Sequence, residues 1–318
     1  MDGLNQKMMV SVVCMTYNHE AYIGNALEGF VSQKTNFAYE VIVHDDASTD
    51  KTADIIREYE KKYPELIKPI YQTENQYFKV NAMQVYVRPL VHGKYIALCE
   101  GDDYWTDPLK LQKQVDAMEQ HPEVDICAHT ANMIDAKSQK CVGKIAPSKQ
   151  DVIFDLGTVI EGGGAFVATN SLLYRRELMD NPPRFREECP LDYALQIQGA
   201  MRGGMLFLKD NMSVYRVAVP GSWTNRVSNS NYYVTQAEMI KQMLDMVNEC
   251  TKSKYEFSIQ KQKRILDFAS LEVKGEYTKL KEFPYKDLYD KKPLKWKVKL
   301  VIKRYFSGVF KFYKERKR

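Results

Sequence analysis

Over the first 130 residues, short apolar runs alternate with stretches in which apolar residues recur at helical spacing. β-Branched runs predict buried strands, and apolar residues three or four positions apart predict helices. The predicted strands are residues 9–15, 39–43, 67–71, 95–99 and 125–129, and the predicted helices are residues 21–33, 51–62, 82–91 and 108–120. Because strands that alternate with helices form βαβ units, the chain is expected to adopt an α/β fold with a mostly parallel sheet.

Polar residues stand directly after three of these strands. The three clusters are Thr16-Tyr17-Asn18, Asp45-Asp46 and Asp102-Asp103. In open sheets of this kind, ligands bind beyond the carboxyl ends of the strands. The sequence therefore predicts that the three clusters converge on one ligand site at a single edge of the sheet.

The carboxylates of Asp102 and Asp103 are adjacent and repel each other, and a divalent cation removes that conflict. The simpler interpretation of a single Asp-Asp pair is that one residue caps the next helix while the other is solvated. Because Asp45 and Asp46 are predicted at the same edge, binding of a metal ion and a nucleotide is favoured over this simpler interpretation. Mg²⁺ and Mn²⁺ both prefer carboxylate oxygens and substrate phosphates, so either cation is expected.

Several well-known catalytic motifs are missing from the sequence. There is no G-x-G-x-x-G, so a dinucleotide-binding fold is not expected, and there is no G-x-x-x-x-G-K-[ST], H-E-x-x-H or G-x-S-x-G. A nucleotidyltransferase also uses paired Asp residues and a metal ion. The loop at residues 16–20 lacks the basic, glycine-rich character of its phosphate loop, so that enzyme class is the weaker alternative.

Composition indicates a globular protein, with 44% hydrophobic and 27% charged residues. The apolar runs are much shorter than the roughly 20 residues of a membrane-spanning helix. The first residues lack the features of a secretory signal. Six cysteines are scattered without a C-x-x-C pair, which is expected of a protein in the reducing cytoplasm.

The charge is concentrated at one end of the chain. Residues 291–318 carry 12 Lys and Arg against one Glu, whereas the other 290 residues carry 34 basic and 40 acidic residues. A protein polarised in this way is not expected to bind nucleic acid through a uniformly basic surface.

Apolar residues are interspersed with the basic residues of segment 291–318. They include Trp296, Leu300, Val301, Phe306, Val309 and Phe310. This mixture is typical of helices that lie on anionic membrane surfaces, so the segment is expected to bind such a surface. Packing of these side chains on the body of the protein, or a subunit contact, is the alternative.

Three segments occur in order along the chain: SVVCMTYNHEAYIGNALEGFVSQ, YEVIVHDDASTDKT and GKYIALCEGDDYW. Together they resemble the nucleotide-sugar-binding half of family 2 glycosyltransferases with the GT-A fold, of the bacterial surface-polysaccharide type with an EGDD motif. The resemblance is tight over residues 9–130 and looser up to about Arg216. It implies a GT-A domain at residues 1–220, with a nucleotide-sugar half at about 8–130 and an acceptor half at about 131–220. A helical extension at 221–290 and a basic amphipathic tail at 291–318 would follow it.

The resemblance also implies roles for individual residues. Thr16, Tyr17 and Asp46 match the positions that hold a uridine-type base, with Asn18 and Asp45 beside them. The acidic metal motif of the family falls on residues 100–103. Asp103 is the expected metal ligand, and Asp102 is expected to contact the ribose or to support the metal.

A later stretch resembles the acceptor half of the same enzymes. The matching segments are Leu191-Asp192-Tyr193, Arg202-Gly203-Gly204, residues 205–208 and Val214-Tyr215-Arg216. The match implies that Asp192 is the catalytic base, with a helix N-cap as the alternative interpretation. Relatives often carry a His soon after the Tyr-Arg pair, but Val217 follows it here. Arg216 is therefore expected either to contact the diphosphate alone or to pair with a surface acid.

These inferences predict an inverting, metal-dependent glycosyltransferase that uses a nucleotide-sugar donor, with a UDP-sugar favoured. The expected acceptor is a hydroxyl group of a glycan or lipid-linked precursor of a surface polysaccharide. The enzyme is expected to be cytoplasmic and peripheral at the inner face of the cell membrane. A non-catalytic sugar-nucleotide-binding module is the alternative from another class, and it would be favoured if Asp103 or Asp192 pointed away from the cleft.

Overall fold

The computed structural model describes residues 7–77, 79–226 and 230–305. The chain divides into two compact units, one up to Ser222 and one from residue 223 onward. The division lies two residues beyond the position at which the GT-A domain is predicted to end.

Within the described residues, the strands of the first unit form one sheet of ten strands. They are β1 (Met8–Thr16), β2 (Ala38–Asp45), β3 (Ile67–Tyr71), β4 (Tyr95–Leu98), β5 (Tyr104–Trp105), β6 (Ile126–Asp135), β7 (Cys141–Ile145), β8 (Val152–Phe154), β9 (Leu173–Arg175) and β10 (Met205–Val217). Their order is β3-β2-β1-β4-β9-β6-β10-β5, with β7 beside β6 and β8 beside β10.

Most of the central strands run parallel to one another. β1 pairs in parallel with β2 and β4, β2 pairs in parallel with β3, and β6 pairs in parallel with β10. Strand β9 runs antiparallel between β4 and β6 and so joins the two parallel groups. The α/β fold with a mostly parallel sheet is therefore confirmed.

The first unit contains helices that cover this sheet. They are α1 (Ile23–Val31), α2 (Thr52–Lys62), α3 (Lys110–Gln120), α4 (Leu156–Gly162), α5 (Glu177–Asp180), α6 (Arg184–Glu188) and α7 (Asp192–Ala200). In α1 the fully buried Ile23, Leu27 and Phe30 are spaced along one helix face. They lie in the same apolar core as Val10 and Val12, which alternate along β1. The helical spacing of apolar residues in α1 and their alternation in β1 thus place this helix and this strand against one core.

Two segments identified from the sequence differ in the structure. Residues 82–91 form a π-helical turn at Met83–Val87 and a 3₁₀ turn at Arg88–Leu90 instead of one α-helix. Pro89 has no amide hydrogen to donate, so a regular α-helix is disrupted there. Residues 205–208 and Val214-Tyr215-Arg216, which resemble the family as separate segments, belong to one strand, β10, which continues through irregularities in its pairing between Leu208 and Ser213.

The described part of the second unit is helical. Its helices are α8 (Trp223–Arg226), α9 (Ser230–Cys250), α10 (Glu256–Lys274), α11 (Lys286–Asp290) and α12 (Leu294–Tyr305). A turn at which Lys252 and Ser253 have positive φ angles separates α9 from α10. None of the helices in the described residues combines the length and the apolar character needed to cross a membrane.

The structure corrects part of the prediction for the basic tail. The Trp296 ring stacks on the Phe268 ring with centroids 6.0 Å apart, and Leu300 is buried in the same small core of the second unit. These two side chains already have apolar partners, so the prediction that they enter a membrane is wrong. Phe306, Val309 and Phe310 lie outside the described residues.

Candidate active site

The ends of three parallel strands meet at one edge of the sheet. Thr16 is paired with Asp45 at the ends of β1 and β2. The Asp46 amide donates to the Thr16 carbonyl at 3.0 Å, and the Gly101 amide donates to the Met15 carbonyl at 3.0 Å. The polar clusters that follow β1, β2 and β4 are therefore adjacent, as the sequence predicts.

Hydrogen bonds hold the loop after β1 against the segment after β2. Oδ1 of Asn18 accepts from the Thr49 amide at 2.8 Å, and the Asn18 amide donates to the Ser48 hydroxyl at 2.9 Å. Asn18 has a φ of 55°, a left-handed conformation in which Asn is enriched. The neighbouring Tyr17 is 43% exposed, so its ring is available to stack on a planar ligand.

Asp45 and Asp46 are buried at the end of β2, and each is held by a hydrogen bond. The Ser48 hydroxyl donates a short hydrogen bond to Asp45. Burial nevertheless raises the pKa of Asp45 above its ordinary value. Oδ1 of Asp46 accepts from the Gln76 amide at 2.7 Å. Both carboxyl groups are thus oriented before any ligand arrives.

Gly101 lets the acidic segment approach the first loop closely. A Cβ atom added at Gly101 would lie 2.4 Å from Oγ1 of Thr16, which is too close for any side chain at this position. The Thr16 hydroxyl is also 3.1 Å from Nδ1 of His19. Glycine between Glu100 and Asp102 is therefore required by the packing of the two loops.

Glu100, Asp102 and Asp103 form an acidic cluster after β4, in which one carboxylate oxygen from each lies within 4.8 Å of the others. Asp103 is 1% exposed, and its Oδ1 accepts from the Arg216 amide at 2.7 Å. Its buried Oδ2 has no hydrogen-bond partner among the described residues. Burial, and then the charge of Asp102, raise the pKa of Asp103 well above its ordinary value.

This acidic cluster fits a divalent cation such as Mg²⁺ or Mn²⁺. Closely spaced carboxylate oxygens are the ligands that these cations prefer. A buried carboxylate oxygen without a partner is costly, and a bound cation would compensate it. The sequence analysis places Glu100 within the acidic metal motif at residues 100–103 but does not single it out as a ligand.

Arg216, near the end of β10, holds the acidic segment in place. Its Nη1 donates to the Asp102 carbonyl at 2.6 Å, and its Nη2 donates to Oδ1 of Asn25 at 2.7 Å. Its guanidinium carbon lies 4.5 Å from the centre of the Tyr104 ring. Because Arg216 is buried and donates to these groups, the alternative that it pairs with a surface acid is wrong.

We expect Arg216→Lys to lower the free energy of unfolding by about 2–4 kcal/mol. One ammonium group cannot replace the planar guanidinium group that donates to both Asp102 and Asn25. Urea unfolding followed by circular dichroism measures the loss. Arg57→Lys is the matched control, because Arg57 pairs with Asp54 on the surface at 2.8 Å. Equal stability of the two variants would contradict this structural role for Arg216.

Asp192 is the first residue of α7, and Leu191 occupies the N-cap position of that helix. The alternative interpretation of Asp192 as an N-cap is therefore wrong. Its Oδ2 instead accepts a hydrogen bond from the Thr169 hydroxyl at 2.6 Å. Burial raises the pKa of Asp192 above its ordinary value, although the hydrogen bond from Thr169 acts in the opposite direction.

A cavity of about 550 Å³ extends from Glu100 of the acidic cluster to Asp192, whereas Asp102 and Asp103 do not line it. Its wall includes Glu100, Thr169 and Asp192, together with Val13 and Met15 of β1. Cavities of this size hold small-molecule ligands in many proteins. Sequence reasoning missed Thr169, because it lies 23 positions from Asp192 and no local pattern marks the contact.

Comparison with known proteins shows the family to which the chain belongs. The model of the family described as "Glycosyl transferase family 2" matches residues 11–179. An uncharacterized protein of Mycobacterium tuberculosis is 38% identical over 245 residues, which cover 75% of this chain and 69% of that protein. A putative teichuronic acid biosynthesis glycosyltransferase of Bacillus subtilis, TuaG, is 36% identical over 114 residues, which cover 36% of this chain and 43% of that protein.

Two solved structures are similar in fold. TarS of S. aureus (residues 1–349, in complex with UDP) has a TM-score of 0.57 and 19% identity, over 91% of this chain and 76% of that one. A mannosyltransferase of Pyrobaculum calidifontis, in complex with GDP-Man and Mn²⁺, has a TM-score of 0.50 and 15% identity, over 94% of this chain and 88% of that one. These similarities confirm the predicted GT-A fold.

Proposed function

Because this chain belongs to glycosyl transferase family 2 and is a glycosyltransferase, we propose that it moves a sugar, with inversion, from a nucleotide-sugar donor to an acceptor hydroxyl group. The observation that carries this proposal is the cavity lined by both Glu100 of the acidic cluster and Asp192. Direct displacement needs a site for the leaving diphosphate and a base for the attacking hydroxyl group within reach of one sugar. We assign Glu100, as part of the acidic cluster, to the first role and Asp192 to the second, because both line this cavity.

The nucleotide is proposed to bind at the ends of β1 and β2. Tyr17 offers an exposed ring, and Thr16 and Asn18 offer polar groups beside it. The fixed carboxylates of Asp45 and Asp46 can accept hydrogen bonds from a base edge or a ribose hydroxyl group. We favour a UDP-sugar, because TarS, the more similar of the two solved structures, was determined with UDP.

The acidic cluster is proposed to hold Mg²⁺ or Mn²⁺, with Asp103 as the principal ligand and Asp102 and Glu100 beside it. A bound cation would offset the negative charge that grows on the diphosphate as the glycosidic bond breaks. Arg216 supports this step by fixing the backbone at Asp102, so that the carboxylates keep their positions. Its direct contact with the diphosphate stays a prediction.

Asp192 is proposed to accept the proton of the acceptor hydroxyl group as that group attacks the anomeric carbon. Attack on the face opposite the diphosphate forms one C–O bond as the other breaks, and this inverts the anomeric centre. The departing diphosphate needs no proton, so a single protein base is sufficient. Deprotonation by a positioned base typically contributes about 10²–10⁴-fold to the rate.

Hydrolysis of a panel of UDP-, GDP- and TDP-sugars tests the proposal without knowledge of the acceptor. We expect slow release of UDP from one UDP-sugar and a faster release when Mn²⁺ or Mg²⁺ is added. Binding of UDP with no turnover of any donor would favour the sugar-nucleotide-binding module instead. Release of pyrophosphate from a nucleoside triphosphate would favour a nucleotidyltransferase.

The acceptor is proposed to be a glycan or lipid-linked precursor of a surface polysaccharide. The name of the related TuaG points to polysaccharide synthesis. We propose that the enzyme meets such a precursor at the inner face of the cell membrane and works there as a peripheral protein.

Helix α12 offers a surface that suits such a location. Leu294, Val298, Val301 and Ile302 are between 39% and 77% exposed, and their spacing places them on one face of the helix. Trp296 and Leu300 occupy a different face, which packs into the core of the second unit. The exposed ridge is flanked by Lys295, Lys297 and Lys299. An apolar ridge bordered by lysines is suited to the interface of an anionic bilayer.

We expect the double substitution Val298→Gln and Val301→Gln to weaken binding to anionic vesicles roughly tenfold, because two apolar side chains leave the interface. Cosedimentation with vesicles of varied anionic lipid content measures the change. Val142→Gln is the matched control, because Val142 is 56% exposed on β7 of the first unit. Membrane binding through α12 would be contradicted if pelleting did not depend on lipid charge. It would also be contradicted if the wild type, the double variant and Val142→Gln pelleted equally.

A further inference from the structure

The hydroxyl group of Thr169 contacts the carboxylate of Asp192 directly. Oγ1 of Thr169 lies 2.6 Å from Oδ2 of Asp192, and both residues line the cavity that also contains Glu100. An ionised carboxylate can only accept, so the threonine hydroxyl donates. This bond fixes the Oδ2 side of the carboxylate.

The 3₁₀ turn Thr169–Ser171 is held against strands β5 and β10 by hydrogen bonds. The buried Asn170 carbonyl accepts from Nε1 of Trp105 at 2.9 Å. The Asn170 side chain donates to the Val214 carbonyl at 2.8 Å and accepts from the Ser213 hydroxyl at 2.9 Å. The position of Thr169 is therefore fixed by several hydrogen bonds that do not involve Asp192.

The same turn is connected to the acidic cluster. Trp105 follows Asp103 by two residues, on the short strand β5. Strand β5 pairs with β10, which carries Arg216, and Arg216 in turn binds the Asp102 carbonyl. A rigid route of hydrogen bonds and strand pairing thus runs from the proposed metal ligands to Thr169.

We propose that Thr169 is a positioning residue that orients Asp192 toward the acceptor hydroxyl group and sets its distance from the acidic cluster. This inference rests on the proposed role of Asp192 as the base. A base held by a second group within a rigid frame keeps the geometry that proton transfer requires. The arrangement resembles other sites in which a third group orients the base.

The bond from Thr169 also affects the ionisation of Asp192. Burial favours the neutral carboxyl group, and the threonine hydroxyl favours the ionised form that acts as the base. Other titratable and charged groups around Asp192 are Cys189, Tyr215, and the cavity residues Glu100, Asp180, Arg186, Glu187 and Arg88. These groups are unchanged by a substitution at Thr169, so a shift in that variant reports the lost hydroxyl group.

Thr169→Val removes the hydroxyl group and keeps the shape of the side chain. We expect the acidic limb of the kcat profile to move to higher pH by roughly one unit, with about tenfold lower kcat on that limb. The KM for the donor should stay within about twofold of wild type, because the bond acts on the base. Thr169→Ser keeps a donor at this position and should restore the wild-type profile. Thr158→Val, which makes the same replacement at an exposed threonine on α4, is the control and should keep the wild-type profile.

The experiment separates this inference from the role of Asp192 itself. In the background of Asp192→Asn, Thr169→Val should change the residual kcat by less than about twofold, because the two residues act as one unit. If Asp192→Asn lowers kcat strongly but Thr169→Val leaves the pH profile unmoved, the positioning role is overturned and the base assignment stands. A uniform loss of kcat at every pH in Thr169→Val, which Thr169→Ser does not restore, would also overturn it. Near-normal turnover by Asp192→Asn would overturn the base assignment and this inference with it.

Discussion

Asp192→Asn is expected to lower kcat about 10²–10⁴-fold while the affinity for UDP changes by less than about twofold. The asparagine has nearly the same shape, and its carbonyl oxygen can still accept from the Thr169 hydroxyl. The wall of the cavity should therefore persist. The amide cannot take a proton from the acceptor, so the loss appears in turnover and not in binding of the donor.

Hydrolysis of the UDP-sugar selected by the donor panel, in which water serves as the acceptor, and calorimetric titration of UDP measure the two effects separately. The matched control is Asp155→Asn. Asp155 also stands at the start of a helix, where its Oδ1 accepts from the Thr158 amide at 2.7 Å. Asparagine caps helices as well as aspartate does, so this control should be fully active. Turnover by Asp192→Asn within about tenfold of wild type would place the base elsewhere.

The pH dependence of the wild-type enzyme offers a second measurement on Asp192. The base must be ionised to accept a proton, so kcat falls as pH falls through its pKa. Because burial raises the pKa of Asp192, the acidic limb should lie above the range of an ordinary aspartate. A limb at the ordinary value would indicate that a solvated carboxylate is the base.

The sheet and the meeting of its strand ends could be predicted, because both depend on local patterns. An apolar run that stops at a polar residue marks a strand end, and the βαβ rule then brings the ends of parallel strands together. This reasoning predicts that Thr16, Asp46 and Asp103 lie together. Thr169 could not be, since its contact with Asp192 depends on how α7 packs against a turn that is distant in sequence.

The two faces of α12 show a second limit of prediction from the sequence. The spacing of its apolar residues predicts an amphipathic helix, but it does not say which residues have partners within the protein. The presence of Phe268 on α10 decides this for Trp296, which stacks against it. Val298 and Val301 remain on the surface. Only the packing could separate the buried apolar residues from the exposed ones.

Asp103→Asn is expected to abolish the tightening of UDP binding by Mn²⁺ and to reduce transfer at least about 100-fold, because the principal charged ligand of the proposed cation is lost. Asparagine is a better test than alanine at this buried position. Its oxygen can still accept from the Arg216 amide, which Oδ1 of Asp103 does at 2.7 Å. Alanine would leave that amide without a partner and would destabilise the fold as well.

Calorimetric titration of UDP with and without Mn²⁺ measures the effect on binding, and it requires neither the acceptor nor turnover. Asp116→Asn is the control, because Asp116 is an exposed aspartate on α3 and should leave the Mn²⁺ effect unchanged. Glu100→Gln completes the series, because Glu100 belongs to the same cluster and faces the cavity. If Mn²⁺ still tightens UDP binding to Asp103→Asn while Glu100→Gln removes the effect, the cation is held at the cavity side of the cluster. Asp103 would then be a buried support for the Arg216 backbone and not a ligand.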